Sequence, residues 1–294
     1  MPSPLTKILK LLTPPILVDV ARRLRRGNTR ALLEYAPDGW EDATACDGGA
    51  QGWNVEKIVA VEKEKWSAFC QNLEGSKPLG FSHEDTDLSI NRNPYFHNIH
   101  VSYAYVLALL ARHKDKISVL DWGGSLGHYY LLGRAVLPEV EIDFHCREVP
   151  LMCAQGKELC PDIHFYEDDS CLERDYDLVM INGSLGYFPN WKELLARLCG
   201  AAKDYLFLTR VLVVEHSRSF VARQHTDVYD YDSELLTQVF NRREVLQTVA
   251  GTGLELVREF VVGPGPAVAG APEPCSDCGW LFRRVSNKIE SQAG

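Results

Sequence analysis

The chain has 294 residues, 46% hydrophobic, 24% charged and 10% aromatic, a balance that buries a core and excludes a disordered polymer. A net charge of -9 argues against nucleic acid, since a phosphate backbone demands a concentrated positive surface. Nine cysteines, an odd number at scattered positions, several inside expected strands and helices, argue against a disulfide framework and for a reducing, cytoplasmic setting.

Residues 1–30 carry Lys7, Lys10, Arg22, Arg23, Arg25, Arg26 and Arg30 against Asp19 alone, so a basic head precedes an acidic body. Two short helices separated by Thr13, Pro14 and Pro15 are expected over 1–26. Leu17, Val20 and Leu24 share one helical face and the arginines gather at its end. That pattern fits peripheral contact with an anionic membrane, or a packing arm whose arginines sit at a helix C-terminus. Lys10, Pro14, Pro15 and Asp19 interrupt the apolar run 8–20 and no small-residue cleavage site follows. Neither a membrane span nor a signal peptide is expected.

Residues 36–52 read as loop, 54–71 as a helix with Val55, Ile58, Val59, Trp66 and Phe69 at helical spacing, and 74–94 as a polar, turn-rich stretch. From residue 95 strands and helices alternate. Helix 99–112 leads to strand 117–121, helix 126–137, strand 142–147, helix 150–159 and strand 163–166. Strand 178–182, helix 191–199 and strand 205–209 follow, then an insertion over 214–232. Helices 233–240 and 242–250 come next, the second opened by Asn241 and Glu244 as a capping box, and strands 254–262 and 279–284 close the chain. The alternation predicts an α/β fold with a mostly parallel, Rossmann-like sheet of seven strands, the final one antiparallel, covered on both faces. A helical and loop N-terminal extension over 1–94 and a ligand-binding domain over 95–294 are the expected divisions.

The sharpest chemical signal follows the strand at 117–121. Asp121 ends it, Trp122 follows, then Gly123, Gly124, Ser125 and Gly127 open a helix. Glycines at such a bend admit a ligand against the backbone, and the helix end offers free N–H groups. A dinucleotide site wants a glycine where Trp122 stands and no acid beside its pyrophosphate. A carboxylate instead suits a cationic ligand, and S-adenosylmethionine (SAM) carries a sulfonium and an ammonium. Another nucleotide or a structural tight turn are the alternatives. Glu148, at the tip of the next strand, suits a pair of ribose hydroxyls, or pairs with Arg147 in a solvated loop. Asp168 or Asp169 after the third strand suits an adenine amino group, or belongs to a polar loop. Asn182, Ser184 and Tyr187 after the fourth face the donor or acceptor in the SAM reading.

With these residues in view, the stretch from about residue 32 to 284 resembles a family of class I methyltransferases associated with bacterial surface-polysaccharide gene clusters, whose substrates are largely unassigned. The resemblance rests on 35–53, 119–127 and Arg147-Glu148-Val149-Pro150. It continues through Gly183-Ser184-Leu185-Gly186-Tyr187, Ser219-Phe220-Val221-Ala222-Arg223-Gln224, Phe240-Asn241-Arg242-Arg243-Glu244 and Gly279-Trp280-Leu281-Phe282-Arg283. It implies SAM binding, and O-methylation of a sugar, glycolipid or polysaccharide precursor is the leading expectation for the acceptor. Gly186 departs from it, standing where a longer amide side chain is expected.

A hydroxyl acceptor needs a proton acceptor, and the insertion supplies Glu215, His216, Gln224, His225, Asp227 and Asp230. His216 or His225 is the expected base; surface histidines on a mobile loop are the alternative. Asn93, His97 and His100 are candidates to cap the pocket. Cys275 and Cys278 form half a zinc knuckle without its second half, so no metal is expected. Two rival functions remain open: a catalytically silent SAM-fold protein that docks on a membrane or partner, and an NAD-dependent sugar-modifying enzyme, which lacks its glycine turn and its Tyr-x-x-x-Lys pair here.

Overall fold

The computed structural model describes residues 32–41, 52–84, 91–226 and 234–285, all within one compact unit, Leu32–Gly294. The basic helices expected over 1–26, and Asp227 and Asp230, lie outside the described residues. In chain order come β1 (Leu33–Ala36), α1 (Glu56–Leu73), α2 (Pro94–Ala111), β2 (Lys116–Trp122), α3 (His128–Val136), β3 (Glu141–Arg147), α4 (Pro150–Leu159) and β4 (His164–Tyr166). Then follow β5 (Tyr176–Asn182), α5 (Trp191–Ala201), β6 (Ala202–Val214), β7 (Phe220–His225), β8 (Glu234–Asn241), α6 (Arg242–Ala250), β9 (Leu254–Pro264), β10 (Val268–Ala269) and β11 (Ser276–Arg284).

The central sheet runs β4, β3, β2, β5 and β6 in parallel, with β11 antiparallel to β6 and β9 antiparallel to β11. This is the expected seven-stranded, mostly parallel, Rossmann-like sheet. β5 is buried at all but its last residue because helices cover both faces, so its sequence is a run of apolar residues without alternation. One core layer packs Trp191, Leu195 and Leu198 of α5 and Val245 and Val249 of α6 against the sheet. The opposite layer packs Ile99, Tyr103, Val106 and Leu107 of α2 and Tyr129 and Leu132 of α3. Among the described residues no helix is long and apolar enough to cross a membrane.

A second group of strands extends the sheet. β8 joins the far end of β6 in parallel at Val213 and Val214, β7 pairs with β8, β1 with β7, and β10 with β1. The expected helix over 233–240 is therefore strand β8. Leu235, Leu236, Val239 and Phe240 mimic helical spacing, but they are buried on both faces of a sandwiched strand, where packing overrides period. The expected insertion over 214–232 contains β7.

Local signals set the other boundaries. Asn93 caps α2 through its Oδ1, which accepts from Tyr95 N, and Pro94 occupies the first helical turn, so the helix starts five residues before the expected position. Asn241 caps α6 by accepting from Arg243 N and Glu244 N. Its own N–H goes to Ser219 Oγ rather than to Glu244, tying the cap to the residue that leads into β7.

β6 contains the fold's main irregularity. Its pairing with β11 shifts between Cys278, opposite Val211, and Trp280, opposite Leu208, so Thr209 and Arg210 together oppose Gly279. Arg210 takes up the extra residue in the left-handed region, φ 56°. Such bulges re-aim side chains and collect beside functional sites.

Candidate functional site

The C-terminal ends of β2, β3 and β5 converge where the chain leaves β2 toward opposite sides, the topological switch point of an open α/β sheet. The bend after β2 is fixed by backbone and glycine geometry. Gly123 N–H donates to Arg147 O at 2.9 Å, joining β2 to the end of β3. Gly123, Ser125 and Gly127 all have positive φ, at 79°, 52° and 94°. At Gly124 an added Cβ would fall 2.5 Å from Asp121 Oδ2, so only glycine leaves the acid its place. At Gly123 it would fall 2.5 Å from Ser184 Cβ. Ser184 Oγ donates to Trp122 O and holds the loop after β5 against the bend.

These elements enclose an inner cavity. Of the expected ligand contacts, Asp121, Gly123, Gly124, Ser125, Glu148, Asn182 and Ser184 all line it; Gly127, the N-cap residue of α3, does not, and faces the Ile163 and Phe165 side chains instead. Asp121 is fully buried, and neither of its carboxylate oxygens has a hydrogen-bond partner. Burial, reinforced by the nearby Glu148 carboxylate, pushes its pKa up to about 8. Burial likewise pushes Glu148 up to about 7, opposed by the N–H groups of Val149 and Ser125 and by Arg147. An unmet buried carboxylate is costly in a folded protein, and strongly perturbed carboxyls in a cleft cluster at functional sites. The donor set fits SAM: two acids beside a bend that glycine alone allows.

Asp168 and Asp169 do not line this cavity. Asp168 caps a short 3-10 helix, Asp169–Glu173, by accepting from Ser170 N at 3.0 Å. Asp169 binds Arg197 at 2.6 Å and approaches Arg147 at 3.6 Å. The polar-loop alternative describes them. Arg147 instead reaches the cavity itself, its guanidinium 4.9 Å from the Trp122 ring.

Nor does the structure bring the two expected bases to the cavity. His216 is exposed, and its backbone N–H donates to the Glu273 carboxylate, which binds three consecutive amides of that turn. On β7, Gln224 lines the cavity, and strand alternation sends its neighbour His225 to the opposite face, 3.5 Å from Glu34. Asn93, His97 and His100 do not line it either. Asn93 is the α2 cap, His97 is exposed, and His100 is buried with Nδ1 2.8 Å from Leu79 O.

Long-range contacts bring in residues that the sequence did not announce. Trp53, Ile58, Glu62 and His83 form the wall opposite the glycine bend. His83 stacks on His128 with ring centroids 4.1 Å apart and planes 12° apart. Burial, then the Arg210 charge, lowers His83 to about 3, so both rings are neutral at ordinary pH. Glu62 Oε2 lies 3.9–4.0 Å from both imidazoles. Glu62, His83 and His128 thus each present one potential ligand atom, all within 4.8 Å of one another.

A second, outer cavity adjoins the first. Glu84, Gly183, Tyr187, Arg210 and Gln224 line both, and so form the boundary between them. Tyr187 O–H donates to Gln224 Oε1 at 2.8 Å, and its ring meets Trp53 edge-on at 5.2 Å. Gly186 has a physical reason: a Cβ there would lie 2.5 Å from Thr237 Oγ1, so β8 fills the space an amide side chain would need. Cys275 and Cys278 are free thiols at the start of β11, and Cys275 Sγ donates to Pro266 O at 3.3 Å.

No protein-family model matches the sequence, and no curated protein matches it either. Solved structures resemble its backbone at low identity. Magnesium protoporphyrin IX methyltransferase from Synechocystis PCC 6803 with bound SAM is 13% identical, over 79% of this chain and 98% of that chain, TM-score 0.44. The N-terminal domain of EvdMO1 with S-adenosylhomocysteine (SAH) bound is 12% identical, over 76% and 97%, TM-score 0.46. A SAM-bound amino pentose methyltransferase of calicheamicin biosynthesis from Micromonospora echinaspora is 13% identical, over 64% and 91%, TM-score 0.42.

Proposed function

We propose that this protein is a SAM-dependent methyltransferase that modifies a hydroxyl group of a sugar, glycolipid or polysaccharide precursor. The donor half of the reading rests on one observation: Asp121, wholly buried, has two unpartnered oxygens beside a glycine bend at the switch point of the sheet. A dinucleotide pyrophosphate would meet two carboxylates at this place, and Trp122 stands where its first glycine belongs. The acceptor half rests on the resemblance of 184–187 and 219–224, and on the outer cavity of mixed polar and apolar lining that those two segments help to form.

In this reading Asp121 and Glu148 hold the ammonium and ribose ends of the donor, with Gly123, Gly124 and Ser125 giving it backbone room. SAM, when bound, supplies an electrophilic methyl group that the acceptor oxygen displaces from sulfur in line. The chain's contribution is orientation: Asn182 and Ser184 fix the wall of the inner cavity, and Tyr187, Gln224, Glu84 and Arg210 form the boundary the acceptor approaches. Alignment of nucleophile and methyl is worth several kcal/mol, on the order of 7 or more where effective molarities reach about 10⁵ M. Trp53, Tyr187 and Phe188 line the same space and exclude water from it.

Titration calorimetry with SAM, SAH and NAD tests the donor half. Binding of the first two and not the third is expected, lost in Asp121→Ala and weakened in Glu148→Ala. NAD binding in their place would sink the reading.

A further inference from the structure

The outer cavity has a charge inventory that selects among acceptors. Among its described lining residues the one cation is Arg210, and Glu84 engages that guanidinium at two points, 2.6 and 2.7 Å. Its second acid is Asp277 on β11, 3% exposed. Tyr95 O–H donates to Asp277 Oδ2 at 2.6 Å, while Oδ1, equally buried, has no hydrogen-bond partner. The fold makes room for this contact. Gly263 pairs with Asp277 across β9 and β11, and a Cβ at Gly263 would lie 2.8 Å from the Tyr95 ring. Tyr95 therefore crosses over a glycine to reach the acid from α2. Burial raises the Asp277 carboxyl above the usual range, the expected response of a carboxylate whose second oxygen lacks a donor.

We propose that the outer cavity takes a neutral, polyhydroxylated ring, and that Asp277 Oδ1 recognises it by accepting a hydrogen bond from one ring hydroxyl. The proposal rests on the methyltransferase reading only for calling this ring the methyl acceptor. A carboxylate or phosphate on the ring would find no unspent cation here and would face Asp277. An ammonium would have to leave its hydration shell for a single bare carboxylate oxygen, because Glu84 is already engaged by Arg210. A hydroxyl brings one donor and keeps an acceptor for Thr237 or Gln224, which line the same cavity.

Saturation-transfer NMR on the SAH-saturated protein tests this with four probes: a methyl hexoside, the corresponding methyl uronate, the methyl aminosugar and a hexose phosphate. The neutral hexoside is expected to receive saturation at least fivefold more strongly than the three charged probes. Asp277→Ala and the shape-conserving Asp277→Asn should each reduce its signal at least fivefold, with circular dichroism showing a folded chain. An equal or stronger signal from any charged probe, an undiminished signal in both variants, or no hexoside signal in the parent protein overturns the proposal. Calorimetry with SAM on the same samples separates the two readings. A parent protein that ignores SAM sinks the methyltransferase assignment. A parent that binds SAM but no neutral hexoside sinks only the inference drawn from Asp277.

Discussion

Arg210 and Glu84 meet as a two-point ion pair across 126 residues of sequence, at the boundary shared by the two cavities. Their side chains are 21% and 26% exposed. Removing one partner of a fully buried pair costs about 3–5 kcal/mol, because the other charge is stranded. Partial exposure lowers that figure, and Arg210→Ala or Glu84→Ala should each cost about 2–3 kcal/mol of unfolding free energy. The double variant should cost clearly less than the sum, which urea denaturation of all four proteins would measure. Arg210→Lys should not restore the loss, since an ammonium cannot span both carboxylate oxygens. Additive losses would mean that the pair has no mutual energy.

The inner cavity predicts a pH dependence with a definite sign. Asp121 and Glu148 are raised by burial to about 8 and 7. A carboxyl raised on folding contributes stability that is fully present below its unfolded pKa and is lost as pH rises through its folded pKa. The ligand-free protein should therefore lose stability between about pH 4 and 8 on account of these two groups. SAM binding has the opposite slope, because a cationic ligand needs the ionised acids. Its affinity should rise on the order of a hundredfold between pH 6 and 7.5. Asp121→Asn should flatten most of that rise and raise the melting temperature of the ligand-free protein above pH 7. Calorimetry and thermal melts across this range check both slopes.

Gly124→Ala separates steric from conformational effects at the bend. Gly124 lacks the positive φ of its neighbours, so alanine is not strained there, but its Cβ would lie 2.5 Å from Asp121 Oδ2 and 2.9 Å from Cys146 Sγ. The acid must move. Overpacking of this kind costs about 1–3 kcal/mol, and SAM affinity should fall at least tenfold as the carboxylate leaves its position. A variant that binds SAM normally would show that Asp121 does not hold the donor.

How far the sequence foretold this site depends on which contacts make it. The bend at 123–127 and Asp121 are legible because strand, glycine and helix follow one another within a single βα unit, and Glu148 because it stands at the tip of the next strand. α6 was legible through Asn241, whose cap is a local hydrogen bond. Glu84, Arg210 and Asp277 were not, since each reaches the cavities through register and packing between distant segments. Arg210 left one signal, the single charge within the mostly apolar stretch 205–214 of β6. Nothing in the polar stretch around Glu84 distinguished it from its neighbours. β8 was misread because apolar spacing cannot tell a strand buried on both faces from an amphipathic helix. His216 and His225 have the side-chain chemistry of a base. The turn held by Glu273 and the alternation of β7 then direct them away from the cavities.

The departure at Gly186 makes a test of shape. Thr237 Oγ1 occupies the space where a side chain at 186 would begin, 2.5 Å from the added Cβ, and Gln238 O lies 3.2 Å away. Thr237 is 7% exposed on β8, so it has little room to turn aside. Gly186→Gln alone should destabilise the protein by about 1–3 kcal/mol. Thr237→Ala alone removes a small buried hydroxyl and should cost less. Combined, the two changes should recover roughly half of the Gly186→Gln penalty, because the tighter clash disappears while the backbone contact with Gln238 stays. Thermal melts of the parent and three variants measure the coupling. If the combination is no better than Gly186→Gln alone, the threonine is not what excludes a side chain there, and the explanation for this glycine fails.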